Sequence, residues 1–169
     1  GWPGVQYAYE SGHVENPDLN HNLKRITHPE DRNGGAAGGV RFVEFTYFND
    51  DKVASHTDSL GNTQSFLFNL VRLENQTTDA RGFTTIYRHD RDGNLVQRRD
   101  PDGAVWDWEY DQDRNVVRET DPFGRVRQFS GFDAKGNPAQ VLDRDGKQIT
   151  LTYNSLTGAP ATLVDKRGN

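Results

Sequence analysis

The sequence predicts an all-β protein, an antiparallel meander of short hairpins. Two observations predict it. Glycines that follow an aspartate by three residues recur every 21 or 22 residues, and the segments between them alternate apolar and polar residues. No segment has the i, i+3, i+4 apolar spacing of a helix over three turns. The recurring glycines are Gly61, Gly82, Gly103, Gly124, Gly146 and Gly168.

Two turn signals alternate within each repeat. One is Asp-Pro-x-Gly, seen at 100–103 and 121–124, and the other is "DRDGN" at 90–94 or "DAKGN" at 133–137. Aspartate at the first position accepts a backbone hydrogen bond, proline presets φ, and glycine supplies a positive φ, so both signals predict tight hairpin turns. The predicted turn residues are Asp58, Gly61, Asp79, Gly82, Asp90, Gly93, Asp100, Gly103, Asp121, Pro122, Gly124, Asp133, Gly136, Asp143, Gly146, Asp165 and Gly168.

The segments between the turns read as strands with a period of two. "AVWDWEY" places Trp106, Trp108 and Tyr110 on one face and acidic residues on the other. "KQITLTY" near the C-terminus alternates in the same way, with Ile, Leu and Tyr opposite two threonines. About a dozen short strands are therefore expected.

The chain is predicted to be one repeat domain, 1–169, because its length suits a single domain. Residues 41–169 hold about six repeats, and residues 1–40 are a degenerate repeat with loop insertions at 11–22 and 33–40. The first residue is not Met and no signal peptide is visible, so the chain is expected to be cut from something longer.

Composition excludes several classes of function. The net charge of -5 argues against a nucleic-acid binder, and no apolar run is long enough to span a membrane. There is no Cys, so neither disulfide nor thiolate chemistry is available. Hydrophobic residues make up only 33% of the chain, which predicts a thin core or one supported by neighbouring segments.

The unit Y-x-Y-D-x-x-G-N-L-x-x-x-x-D-P-x-G resembles the YD repeat of the Rhs family. The best copies are "YRHDRDGNLVQRRDPDG" at 87–103 and "WEYDQDRNVVRETDPFG" at 108–124, and two looser copies follow them. The family includes bacterial polymorphic toxin shells, the C component of insecticidal toxin complexes, and animal teneurins. The resemblance implies a β-sheet ribbon that spirals into a hollow shell. Six to seven units are too few to close such a shell, so this chain is expected to be a fragment of one or a short orphan repeat protein.

That resemblance also carries expectations of function. It implies a structural and non-catalytic module of a bacterial protein that is secreted or held at the cell surface. The implied partners are neighbouring repeats or an encapsulated toxin in a longer parent protein, and no cofactor is expected. The two Asp-Pro-x-Gly copies differ from the family's self-cleaving segment because ordinary strand follows each of them.

Calcium binding is the first alternative. "DQDRN" at 111–115 has oxygen-bearing side chains at the first, third and fifth positions of an EF-hand-like loop. It lacks Gly at the sixth position and Glu at the twelfth, which is Pro122. The turn interpretation is favoured, and no metal site is predicted.

Sugar binding is the second alternative, through an exposed stripe of Trp106, Trp108 and Tyr110. The competing interpretation is a cross-strand ladder in which these rings pack against aromatic residues of neighbouring strands. An extracellular adhesion or carbohydrate-binding module is therefore retained as the alternative function.

Enzymatic chemistry has little support. None of the five His has the HxxxH spacing of a metal site, and the paired acids recur with the repeat, which marks them as turn residues. No catalytic residue is predicted.

The two edges of such a meander predict self-association. An edge strand presents a row of unpaired backbone N–H and C=O groups that another strand can bind. A homodimer or larger assembly is expected, by strand pairing or by hairpin exchange.

Overall fold

The computed structural model describes residues 4–28 and 41–165, and the predicted loop 33–40 and Gly168 lie outside these ranges. The described residues contain fourteen strands and one 3₁₀ helix, Pro17–His21. The strands are β1 (Gln6–Tyr9), β2 (Leu23–Thr27), β3 (Phe42–Tyr47), β4 (Val53–Asp58), β5 (Thr63–Asn69), β6 (Glu74–Thr78), β7 (Thr84–His89), β8 (Leu95–Arg99), β9 (Val105–Tyr110), β10 (Val116–Thr120), β11 (Val126–Phe132), β12 (Pro138–Leu142), β13 (Gln148–Tyr153) and β14 (Pro160–Asp165).

The strands hydrogen-bond to one another in sequence order, from β1 to β14, in one sheet. Such an order needs only hairpin connections, which the recurring Asp and Gly residues supply. The predicted all-β antiparallel meander is confirmed.

The described residues divide into two compact units, the first comprising residues 4–28, 41–69 and 75–84 and the second residues 70–74 and 85–165. In the first unit, strand register places Val43 opposite Ile26 and Phe45 opposite His56, so these side chains share one face. The ring of His56 lies 6.2 Å from that of Phe45 and 5.8 Å from that of Phe66, as a cross-strand ladder. The opposite face carries Glu, Ser and Thr side chains.

The insertion at 11–22 packs against its own unit. Its 3₁₀ helix starts with Pro17 and buries Leu19, which is 8% exposed. The Asn16 amide donates to the carbonyl of Asn49 at 2.8 Å, which ties the insertion to the β3–β4 turn. Sequence patterning gave no indication of this small cluster.

In the second unit the sheet has two chemically different faces. Register places Trp108 opposite Glu119, and Phe129 and Ile149 opposite Val141. We call the surface formed by Trp106, Trp108, Phe129, Val141, Ile149 and Leu151 the aromatic face. The other surface is the polar face, which carries Gln97, Asp107, Arg118, Gln128, Gln140 and Thr150 and, among them, the apolar Leu142 and Val164.

Burial is shallow throughout the described residues. Leu19 is the one hydrophobic side chain among them that is buried, and most strand side chains are half-buried. Lateral pairing covers the backbone but leaves the faces partly accessible, so each strand depends on its neighbours. No described helix is long and apolar enough to cross a membrane.

Candidate functional site

The recurring aspartates hold the hairpin turns in shape. At Asp90 one carboxylate oxygen accepts the backbone N–H groups of Asp92 at 2.9 Å and Asn94 at 2.8 Å. The other oxygen accepts the Asn94 side-chain amide at 2.9 Å. The same backbone pattern is found at Asp58, Asp79, Asp90, Asp111, Asp121, Asp133 and Asp143.

Two of the predicted aspartates behave differently. Asp100 keeps the backbone turn, since its N–H donates to the Ala104 carbonyl at 2.8 Å, but its carboxylate accepts from Arg98 Nη2 at 3.0 Å. Asp165 is the last residue of β14, and Pro122 is the second residue of the turn that begins at Asp121.

The predicted turn glycines have a positive φ. Those among the described residues have φ from 75° to 88°: Gly61, Gly82, Gly93, Gly103, Gly124, Gly136 and Gly146.

The turn hydrogen bonds stabilise the ionised carboxylates. The Asn side-chain amide four residues on is the largest cause that lowers the pKa of Asp58, Asp90, Asp111 and Asp133. For Asp79 the largest cause is the Phe83 backbone N–H. For Asp121 burial opposes ionisation most strongly, but the Arg125 side chain and backbone outweigh it and the pKa is lowered.

The acid-rich turn at 111–115 uses its first carboxylate internally. Asp111 accepts from Asp113 N–H, Asn115 N–H and the Asn115 amide at 2.8–3.0 Å. A groove of about 680 Å³ separates this turn from the turn at 133–137, and its acids are turn acids too. Across residues 4–28 and 41–165, no group of three or more His, Cys, Asp or Glu side chains could hold a metal ion.

The predicted aromatic stripe lies on the aromatic face. The Trp106 and Trp108 rings stack along the strand at 6.4 Å with planes 13° apart, and both are half-buried. Their cross-strand neighbours are charged, because Trp106 lies opposite Arg98 and Trp108 opposite Glu119. The Arg98 guanidinium lies 5.5 Å from the Trp106 ring centroid, within cation–π range.

Tyr110 has a different role from the two tryptophans. Its hydroxyl donates to the carbonyl of Leu95, the first residue of β8, at 2.9 Å. Burial raises its pKa, with the nearby charge of Asp90 as a second cause. The side chain therefore ties the end of one strand to the start of the preceding strand.

The sequence analysis did not predict a cluster of charged and aromatic side chains around Arg144. Arg144 lies in the β12–β13 turn and pairs with Glu119 and, at 3.2 Å, with Asp121, which is only 3% exposed. Its guanidinium also lies 5.6 Å from the Trp106 ring centroid. Arg125 donates to the same carboxylate oxygen of Asp121 at 2.8 Å. The cluster links three successive parts of the repeat array, and periodicity could not reveal it because its partners lie 23–38 residues away in sequence.

Chemically, the arrangement holds strands and turns together. The carboxylates are engaged by backbone, amide or guanidinium groups, and Tyr110 is engaged by a carbonyl. The two indoles remain the one predicted group whose partly exposed surfaces could take a ligand.

Comparison with known proteins identifies the repeat. The RHS Repeat family matches residues 69–105 and 89–126. Comparison with curated proteins gives no match.

Solved structures with a similar fold include a toxin complex. A Photorhabdus luminescens Tc holotoxin pore carrying the TccC3 mutation D651A matches with a TM-score of 0.64, at 12% identity, over 96% of this chain and 9% of that one. TcdB2-TccC3 with Cdc42 matches at 0.54 and 13% identity, over 82% and 8%. TcdB2-TccC3 alone matches at 0.54 and 12% identity, over 92% and 10%. This chain thus spans about a tenth of each of those chains, and the likeness shows the fold.

Proposed function

Because the chain belongs to the RHS-repeat (YD-repeat) family, we propose that it is a non-catalytic segment of a protein wall that encloses or scaffolds another polypeptide. The proposal rests on the observation that the repeated aspartates form hydrogen bonds within their own turns. In four of the turns both oxygens of the first carboxylate accept hydrogen bonds, one from backbone N–H groups and the other from the Asn side-chain amide; the four are Asp58, Asp90, Asp111 and Asp133. Groups so engaged are poor acid–base catalysts.

The two-faced sheet of the second unit supports a wall. An aromatic face and a polar face on one sheet suit a boundary between two different surroundings. One similar solved structure is a Tc holotoxin pore, which favours a toxin or another polypeptide as the enclosed partner in a longer secreted or surface protein. The proposal includes association of the chain with itself, because β1 and β14 end the sheet.

Removal of one whole repeat tests the structural role. Residues 104–124 span one 21-residue period, so their deletion joins Gly103 to Arg125 and restores the same turn sequence. In a repeat array each unit contacts only its neighbours, so the shortened chain should keep its β-sheet circular dichroism and unfold cooperatively at a somewhat lower temperature.

The matched control deletes half a period, residues 104–113. That deletion removes β9, and the next strand would then pair with β8 with its side chains turned to the opposite face, so the chain should no longer unfold as one cooperative unit. Equal loss of structure in both deletions would contradict a modular structural role. Light scattering after size exclusion tests self-association separately, since a 19.1 kDa species at every concentration would contradict it.

The second candidate is carbohydrate binding, favoured by the nearly parallel and partly exposed rings of Trp106 and Trp108. A glycan array should show binding that Trp106→Ala and Trp108→Ala each reduce. Phe83→Ala is the control, because Phe83 is also an exposed aromatic residue, at 52%. Absence of any bound glycan would eliminate this candidate and leave the wall proposal intact.

A further inference from the structure

We infer that two copies of this chain join head to tail, with β1 of one copy pairing antiparallel with β14 of the other. The inference rests on the self-association included in the proposed function and specifies which edges meet and in which register. Among the described residues β1 pairs with β2 and β14 with β13, and each therefore has one edge available for a further strand.

A tyrosine contact recurs within the chain and sets the register. In β9 the Tyr110 hydroxyl donates to the Leu95 carbonyl at 2.9 Å, and in β13 the Tyr153 hydroxyl donates to the Pro138 carbonyl at 3.0 Å. In β3 Tyr47 donates to Leu23 at 2.8 Å. Each acceptor is the first residue of the preceding strand, and each tyrosine is the last residue of its own strand.

Tyr9 occupies the tyrosine position of this contact at the end of β1. A register shift precedes it, as one precedes Tyr47 and Tyr153. The next residue, Glu10, donates its N–H to the carbonyl of Asn22 at 2.8 Å, just as the residue after Tyr153 closes its turn. Tyr9 is 59% exposed, whereas the three bonded tyrosines are half-buried. What distinguishes Tyr9 is that no described strand precedes β1.

Pro160 occupies the matching acceptor position at the start of β14. It is the first residue of its strand, as Pro138 is of β12, and Pro138 already accepts from a tyrosine through its carbonyl. Proline lacks an N–H but keeps its carbonyl, so it is suited to this acceptor role. A strand placed after β14 with the register of the repeat would bring its last tyrosine to Pro160.

The internal offset between tyrosine and acceptor fixes the rest of the pairing. If Tyr9 of one copy donates to the Pro160 carbonyl of the other, the register of the internal pairs places Tyr7 opposite Ala161 and Val5 opposite Leu163. Opposed residues of antiparallel strands share a face, and Leu163 lies opposite Leu151 of the aromatic face. Val5 is 42% exposed, Tyr7 59% and Leu163 60%, so the pairing covers the apolar side chains that the edges leave accessible.

Charge complementation tests the pairing in the full chain. Val5→Lys alone and Leu163→Glu alone each place a charge opposite an apolar side chain, and each should weaken association at least about tenfold. In an equimolar mixture of the two variants, a junction between unlike copies has either Lys opposite Glu or the native Val5 opposite Leu163. The mixture should therefore restore association to within about threefold of the native chain. Leu60→Lys and Leu156→Glu are matched controls, since these exposed side chains lie in turns.

The outcomes separate this inference from the proposed function. A native chain that stays at 19.1 kDa at every concentration overturns self-association and this inference together. Association that resists both single variants, or that the mixture fails to restore, overturns the head-to-tail pairing alone. Sensitivity to only one of the two variants would indicate that like edges pair, β1 with β1 or β14 with β14, and would also overturn it.

The hydroxyl contact has its own test. Tyr9→Phe removes only the hydrogen bond and should weaken association about fivefold, with no change in the unfolding temperature of the monomer. Tyr47→Phe is the control with the opposite result, a lower unfolding temperature and unchanged association. If Tyr9→Phe associates as tightly as the native chain, the register proposed for the junction is wrong.

Discussion

The left-handed position of the hairpin turns allows a graded test of the fold. Gly93 has φ of 85° and nothing within 4 Å of the place where a Cβ would stand, so Gly93→Ala changes backbone strain alone. A non-glycine residue there costs about 1–2 kcal/mol, and the loss of glycine's freedom in the unfolded chain returns about 0.4–1 kcal/mol. We expect a net loss of about 1 kcal/mol.

The neighbouring turns provide one larger effect and one opposite effect. At Gly136, with φ of 78°, an added Cβ would lie 2.8 Å from Asn115 Oδ1, so Gly136→Ala adds a steric clash and should cost clearly more than Gly93→Ala. Arg114 is exposed and already occupies the same position with φ of 66°. Arg114→Gly should therefore stabilise the chain by about 0.5–1 kcal/mol.

Calorimetry or urea unfolding monitored by tryptophan fluorescence measures the series. For a chain of this size, 1 kcal/mol corresponds to about 2–4 °C in Tm. In an Asn115→Ala background the clash is absent, so adding Gly136→Ala there should cost only about as much as Gly93→Ala costs in the native chain. Equal losses at Gly93 and Gly136, or a destabilising Arg114→Gly, would refute the reasoning.

Three further predictions concern the turns and the ties between strands. The pKa values of the turn aspartates Asp58, Asp90, Asp111 and Asp133 are lowered in the folded chain, so their ionised carboxylates stabilise it. This stabilisation should be complete above about pH 5 and should decrease as the pH falls below the ordinary aspartate pKa near 4. Asp133→Asn should make that decrease smaller when Tm is measured against pH. Tyr110→Phe should cost about 1 kcal/mol in urea unfolding, because the Leu95 carbonyl loses its donor; an unchanged midpoint would contradict the tie. Arg144→Ala should lower Tm by about 3–6 °C and change tryptophan emission, because Asp121 loses one of its two arginines; an effect no larger than that of an exposed arginine would count against it.

Local chemistry explains why the fold could be predicted from sequence. A turn of this kind needs an acceptor at its first position and a left-handed residue at its fourth, and both requirements are visible in "DRDGN" or "DPFG". Even the weaker copy at 111–115 keeps Asp111 and Asn115, whose side chains close the turn although Arg114 replaces glycine. Periodicity then fixes strand length and direction.

Contacts between distant residues explain what the sequence did not reveal. Arg144 meets Glu119 and Trp106 only after the strands between them have paired in register, and no repeat of sequence marks that meeting. The aromatic ladder considered for Trp106 and Trp108 also depended on strand register, which the sequence does not show. In the structure the residues opposite them are Arg98 and Glu119 rather than aromatic residues.

The second residue of each Asp-x-x-Gly turn has a further consequence. Along the chain this position holds serine, alanine, proline, proline and arginine, yet the backbone bonds of the turn are the same in every case: Ser59, Ala80, Pro101, Pro122 and Arg144. A side chain can therefore be exchanged there without disturbing the hairpin beneath it. An array built in this way can acquire a new long-range brace, as Arg144 provides, by a single substitution at a tolerant corner.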